Sequence, residues 1–164
     1  MKPDPKPEKM IFGIDPGPEQ SAGVVWDGCF VVAHVQKPND EFREHLLNLE
    51  SLWPKKYDRP FVVAIEDVAF YGKVLNKSTF DTLKFIGRIQ EIFPDNHHLV
   101  YFPDIAYHFC NSRRGVNTPQ INSVLRSRYG EKGTKKNPGI LYGIKEHEWS
   151  ALAVAIYYSD TVIK

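Results

Sequence analysis

Apolar residues in this 164-residue chain fall first into short unbroken runs and later into helical stripes. Met10–Asp15 and Ala22–Trp26 read as buried strands, and Asp27-Gly28 is a hairpin signal leading into a third strand over Phe30–Val35. Phe42, Leu46, Leu49 and Trp53 recur at helical spacing, which predicts a helix capped by Asn39 and stopped by Pro54. Phe61–Ile65 is apolar without alternation, as expected of a strand covered on both faces. Phe80, Leu83, Ile86, Ile89, Ile92 and Phe93 predict a second helix with Ser78 as its cap. Leu99–Phe102 reads as a short strand and Asp104–Phe109 as a short helix. Thr118-Pro119 reads as a cap plus proline at the first position of a helix ending near Gly130. Residues 131–142 are a loop, and a last helix runs from about Lys145 to Thr161. Three antiparallel strands, then alternating helices and strands, predict an α/β fold: a mixed sheet flanked by helices.

Composition adds bounds rather than detail. A hydrophobic fraction of 42% and a charged fraction of 25% suit a globular domain, and no apolar run approaches the ~20 residues of a membrane span. Residues 1–9 are polar and proline-rich, without the apolar centre of a secretory signal, and are expected to be a loose tail before one domain over 10–164. Two cysteines, Cys29 and Cys110, lack metal-type spacing and fit reduced thiols in a cytoplasmic protein.

Charge is more informative in its distribution than in its sum. The net charge is +1, yet between Arg113 and Lys145 eight basic residues face one acid, Glu131. That segment is therefore +7 and the remainder −6. Such a cluster is either a footprint for nucleic-acid phosphates or a solvated loop.

Three stretches carry candidate chemistry. The apolar run Ile11–Ile14 ends on Asp15, the run Val62–Ile65 ends on Glu66, and His147 opens a small-residue segment through Ala155. Parallel strands bring their ends to one edge of a sheet, so acids far apart in sequence can converge there on a cation. Each residue also has a plainer role: Asp15 in the turn at Pro16-Gly17, Glu66 in a surface ion pair, His147 in structure alone. Asp67, next on the strand, would face the opposite way. His97-His98 reads as a solvated turn, and Gly130–Lys135 lacks the strand and the ending of a phosphate loop.

Ile-Asp-Pro-Gly, Ala-Ile-Glu and His-x-x-Ser-Ala-Leu-Ala-Val-Ala, in this order between Met10 and Thr161, resemble the RuvC-like Holliday junction resolvases, above all phage-encoded members. The resemblance implies an RNase H-like fold with a mixed five-stranded sheet, a homodimer, and paired phosphodiester hydrolysis in four-way or branched DNA junctions. It implies two Mg²⁺ ions per site, with Mn²⁺ able to substitute, and a cytoplasmic setting (the host cell's cytoplasm for a phage protein). Carried over by position, Asp15, Glu66 and His147 are the catalytic and metal-binding residues. The family's further aspartate is replaced by Ser150, with Glu146 and Glu148 nearby as additional candidate ligands. A family aromatic that stacks on junction bases points to Phe70 or Tyr71, with Lys73 and Lys77 beside them. Arg113, Arg114, Lys132, Lys135 and Lys136 are the candidate backbone contacts. Loss of the fourth acid leaves an alternative: a junction-binding module of the same fold with weak catalysis.

Overall fold

Strands ending on acids come to lie side by side because of the order in which the sheet is assembled. The computed structural model describes residues 8–69 and 75–163. β1 (Met10–Asp15), β2 (Gln20–Trp26) and β3 (Val31–Pro38) form an antiparallel meander. β4 (Phe61–Asp67) then joins the other side of β1 in parallel, and β5 (His97–Tyr101) joins β4 in parallel. The order is β3-β2-β1-β4-β5, a mixed five-stranded sheet. Its C-terminal parallel edge gathers Asp15 and Glu66.

Alternation along the strands divides the core in two. Phe12, Ile14, Val63 and Ile65 face α1 (Asn39–Lys56) and α2 (Lys77–Ile92), meeting Phe42, Leu46, Phe85 and Ile89. Ile11, Val62 and Ala64 face the other way, into a core shared with α3 (Phe102–Cys110), α4 (Thr118–Tyr129) and α5 (Glu148–Thr161). Asp15 and Glu66 continue this second set, so both belong to the α5 face. Small residues let α5 lie directly on the sheet. A Cβ added at Gly13 would stand 2.2 Å from the Ala151 carbonyl oxygen and 2.8 Å from Ala155 Cβ.

Element types follow the sequence pattern, but several boundaries are corrected. Asn39 does not cap α1; it accepts from Ser21 Oγ at 2.7 Å and donates to the Gly17 carbonyl at 3.0 Å. Pro54 lies inside α1, which continues to Lys56 because a proline this near the end removes only one hydrogen bond. The cap of α2 is Asn76 rather than Ser78, and Asn117 rather than Thr118 caps α4 in a reciprocal capping box with Gln120. His97 and His98 belong to β5 instead of a turn; His97 is held by the Phe93 carbonyl and Gln90, and His98 lies against Tyr158. The final helix begins at Glu148, three residues later than its apolar pattern suggests.

Candidate active site

β1 and β4 run parallel in a register that pairs Ile14 with Ile65. The next residues, Asp15 and Glu66, therefore leave adjacent strands together and toward α5. His147 is the residue immediately before α5; its backbone is helical, and its side chain does not cap the helix. It is instead turned to Asp15, with Nδ1 3.3 Å from Oδ2. Residues 51 and 132 positions away from Asp15 thus meet it at one edge of the sheet.

Burial and mutual repulsion set the protonation of the two acids. Desolvation raises the Asp15 pKa to about 6, against the lowering effect of the His147 charge and hydrogen bond. Burial and then the neighbouring Asp15 charge raise Glu66 to about 8. Two carboxylates whose ionised forms disfavour each other are in an environment that a cation would relieve. Ser150, where a further acid was expected, borders a crevice of about 10 Å³ shared with Glu66 and Thr118.

The donor set fits a hard divalent ion in one particular manner. Among the described residues, no group of three or more His, Cys, Asp or Glu side chains forms a ready metal cage. Two carboxylates with remaining positions left to water and substrate are, however, how Mg²⁺ is commonly held. Asp15 and Glu66 supply that pair, while His147 contacts Asp15 rather than completing a three-donor cage. The two extra candidate ligands are engaged elsewhere. Glu148 is buried, accepting from the Lys145 amide at 3.1 Å and lying 3.0 Å from His34 Nδ1. Glu146 accepts from Gln36 Nε2 at 2.9 Å.

The basic segment divides into committed and open cations. Arg113, a candidate backbone contact, pairs with Asp104 and lies over Tyr107. Arg114 is exposed. Lys132 lies 5.9 Å from the ring of Trp149, a ring it shares with Arg126; this ties the 131–139 loop to the start of α5. The Gly133–Pro138 bridge and paired Thr134–Asn137 backbone bonds leave Lys135 and Lys136 exposed at its tip. Lys77 starts α2, exposed and 3.8 Å from Asp81. Phe70, Tyr71 and Lys73 lie outside the described residues.

Sequence reasoning missed Ser21 and Asn39, which with Gly17 tie down the turn after Asp15. It also missed His34 and Gln36 on β3. Two polar side chains spaced two residues apart in an otherwise largely apolar strand were their only signal.

Comparison with solved structures agrees with this architecture. Thermus thermophilus RuvC superposes with a TM-score of 0.60 at 18% identity, covering 94% of this chain and 97% of that one. The same figures hold for T. thermophilus RuvC in complex with Holliday junction substrate. The fold is RuvC-like. No protein-family model and no curated protein matches the sequence. Among the described residues, no helix is long and apolar enough to cross a membrane.

Proposed function

We propose that this protein is a metal-dependent, structure-selective endonuclease that cuts four-way or branched DNA junctions. The observation that carries this reading is the pairing of Asp15 and Glu66 at one sheet edge, with His147 on Asp15, in a RuvC-like fold. The solved relative bound to Holliday junction substrate supports the choice of DNA.

Asp15 and Glu66 would hold Mg²⁺, or Mn²⁺ in its place, with two ions per site. When bound, the metal supplies charge stabilisation at the scissile phosphate. Asp15 fixes one face of the His147 ring through Nδ1. The side chain as a whole is 59% exposed, leaving its other ring nitrogen to meet the phosphate or orient an attacking water. Lys132, Lys135 and Lys136, on the loop anchored at Trp149, would hold the backbone of one arm, with Arg114 on a second loop. Hydrolysis leaves a 5′-phosphate and a 3′-hydroxyl. Two symmetric cuts call for two equivalent sites, which a homodimer provides.

Ser150 and the lack of a three-donor cage among the described residues favour one alternative, a junction binder with little catalysis. A labelled synthetic four-way junction incubated with purified protein and Mg²⁺ separates the two. Paired nicks that disappear in Asp15→Asn support the nuclease. Tight binding without nicking supports the binder, and neither binding nor nicking overturns both.

A further inference from the structure

Edge strand β3 sends two polar side chains from one of its faces into the turn that presents His147. His34 Nδ1 lies 3.0 Å from the buried Glu148 carboxylate, and Gln36 Nε2 donates to Glu146 at 2.9 Å. These two acids flank His147 in sequence. Glu148 also accepts from the Lys145 amide, so one buried carboxylate joins β3, the start of the turn and the start of α5. Buried carboxylates are kept hydrogen-bonded, and here His34 partners one oxygen of Glu148 and the Lys145 amide the other.

Conformation in the turn points the same way. Glu146 has φ of 42°, a left-handed conformation that a side chain-bearing residue adopts only when its surroundings impose it. Gly143 has φ of 86°, and a Cβ there would stand 2.8 Å from His34 Nε2. The turn is thus wrapped closely around His34. Its product is the placement of His147 Nδ1 against Asp15.

We infer that His34 and Glu148, assisted by Gln36, are positioning residues that clamp the 143–148 turn and hold the His147 ring on Asp15. This rests on the proposed nuclease site and adds to it a support from a strand that carries none of the reacting groups. Glu148 accordingly acts through the turn and not as a metal ligand.

The test uses full-length protein and two readouts. In metal-free protein, the ¹³Cε1–¹H signal of His147 is assigned by its loss in His147→Gln, and Asp15→Ala shows its position without the Asp15 contact. His34→Ala should move the signal toward that position. His34→Gln, whose amide can still donate to Glu148, should largely restore it. On junction DNA, His34→Ala should lower the single-turnover cleavage rate on the order of tenfold to a hundredfold, the scale of a small misplacement. The junction Kd should stay within about twofold, because the turn bears no phosphate-contacting cation of the 131–139 loop. An unmoved His147 signal in a folded His34→Ala protein overturns the clamp. So does a uniform shift of signals across the chain with equal losses in rate and affinity, which marks general unfolding. Wild-type protein that never cleaves defeats the nuclease reading alone, since the His147 signal still reports on the clamp.

Discussion

Asp15 and Glu66 follow the paired residues Ile14 and Ile65 on adjacent parallel strands, so both carboxylates emerge at one sheet edge on the α5 face. Burial raises both pKa values, to about 6 and about 8, and their mutual repulsion adds to the rise of Glu66. The protein therefore stores at this edge a charge conflict that a divalent cation would resolve.

That conflict dictates how stability varies with pH. Each folded-state pKa lies above its ordinary value, so the folded protein binds the extra protons. Stability from these groups is fully present below about pH 4 and is lost as pH rises through about 6 and then about 8. Metal-free protein should melt at progressively lower temperature between those limits. Glu66→Gln should flatten the upper part of the profile, and Mg²⁺ should restore stability most strongly at the alkaline end, where the ligands are deprotonated. Thermal melts across pH, with and without Mg²⁺, check this; a wild-type profile flat from pH 5 to 9 would contradict it.

The close packing of β1 on α5 leaves no room for a side chain at Gly13. Gly13→Ala should cost about 1–3 kcal/mol or more, since the atoms in its way include backbone. Because Asp15 is two residues along and His147 precedes α5, the Asp15–His147 contact should loosen as well. Chemical denaturation gives the energy, and unchanged stability would show that the helix is not seated as described.

Lys135 and Lys136 stand exposed at the tip of a loop anchored at Trp149. Replacing both with alanine should lower the salt slope of junction binding by about 2, close to one for each phosphate no longer neutralised. Cleavage of already bound junction should keep its rate. Adding Arg114→Ala should lower the slope again. Fluorescence anisotropy over a salt series measures the slopes, and three identical slopes would remove these residues from the interface.

Ser150 shares a crevice with Glu66 where a further acid is expected from the sequence resemblance. Ser150→Asp adds a third carboxyl group to this edge, beside Glu66. It should lower metal-free stability and tighten Mn²⁺ binding on the order of tenfold, since affinity for hard cations follows ligand charge. Isothermal titration with Mn²⁺ decides it; weaker binding would place Ser150 outside the ion's reach.

Most of the framework is legible in the sequence because its signals are local. An unbroken apolar run ending on an acid identifies a buried strand and the carboxylate near its end within six residues, and the placement of Asp15 and Glu66 on adjacent strands follows from it. The helix caps escape such reading because Asn, Ser and Thr stand together at these ends, and only geometry selects Asn76 and Asn117. Asn39 is diverted from its helix by Ser21 and Gly17, partners outside that helix. Glu148 is beyond reach for the same reason: its burial depends on His34, 114 positions away, and no local pattern announces that contact.

The most direct measurement is the anomalous scattering from a crystal of the protein grown or soaked with Mn²⁺. An ion about 2.2 Å from carboxylate oxygens of both Asp15 and Glu66, a normal distance for a hard dication, is the predicted result. Mn²⁺ bound only elsewhere, with those two carboxylates left without it at saturating concentration, would contradict the account.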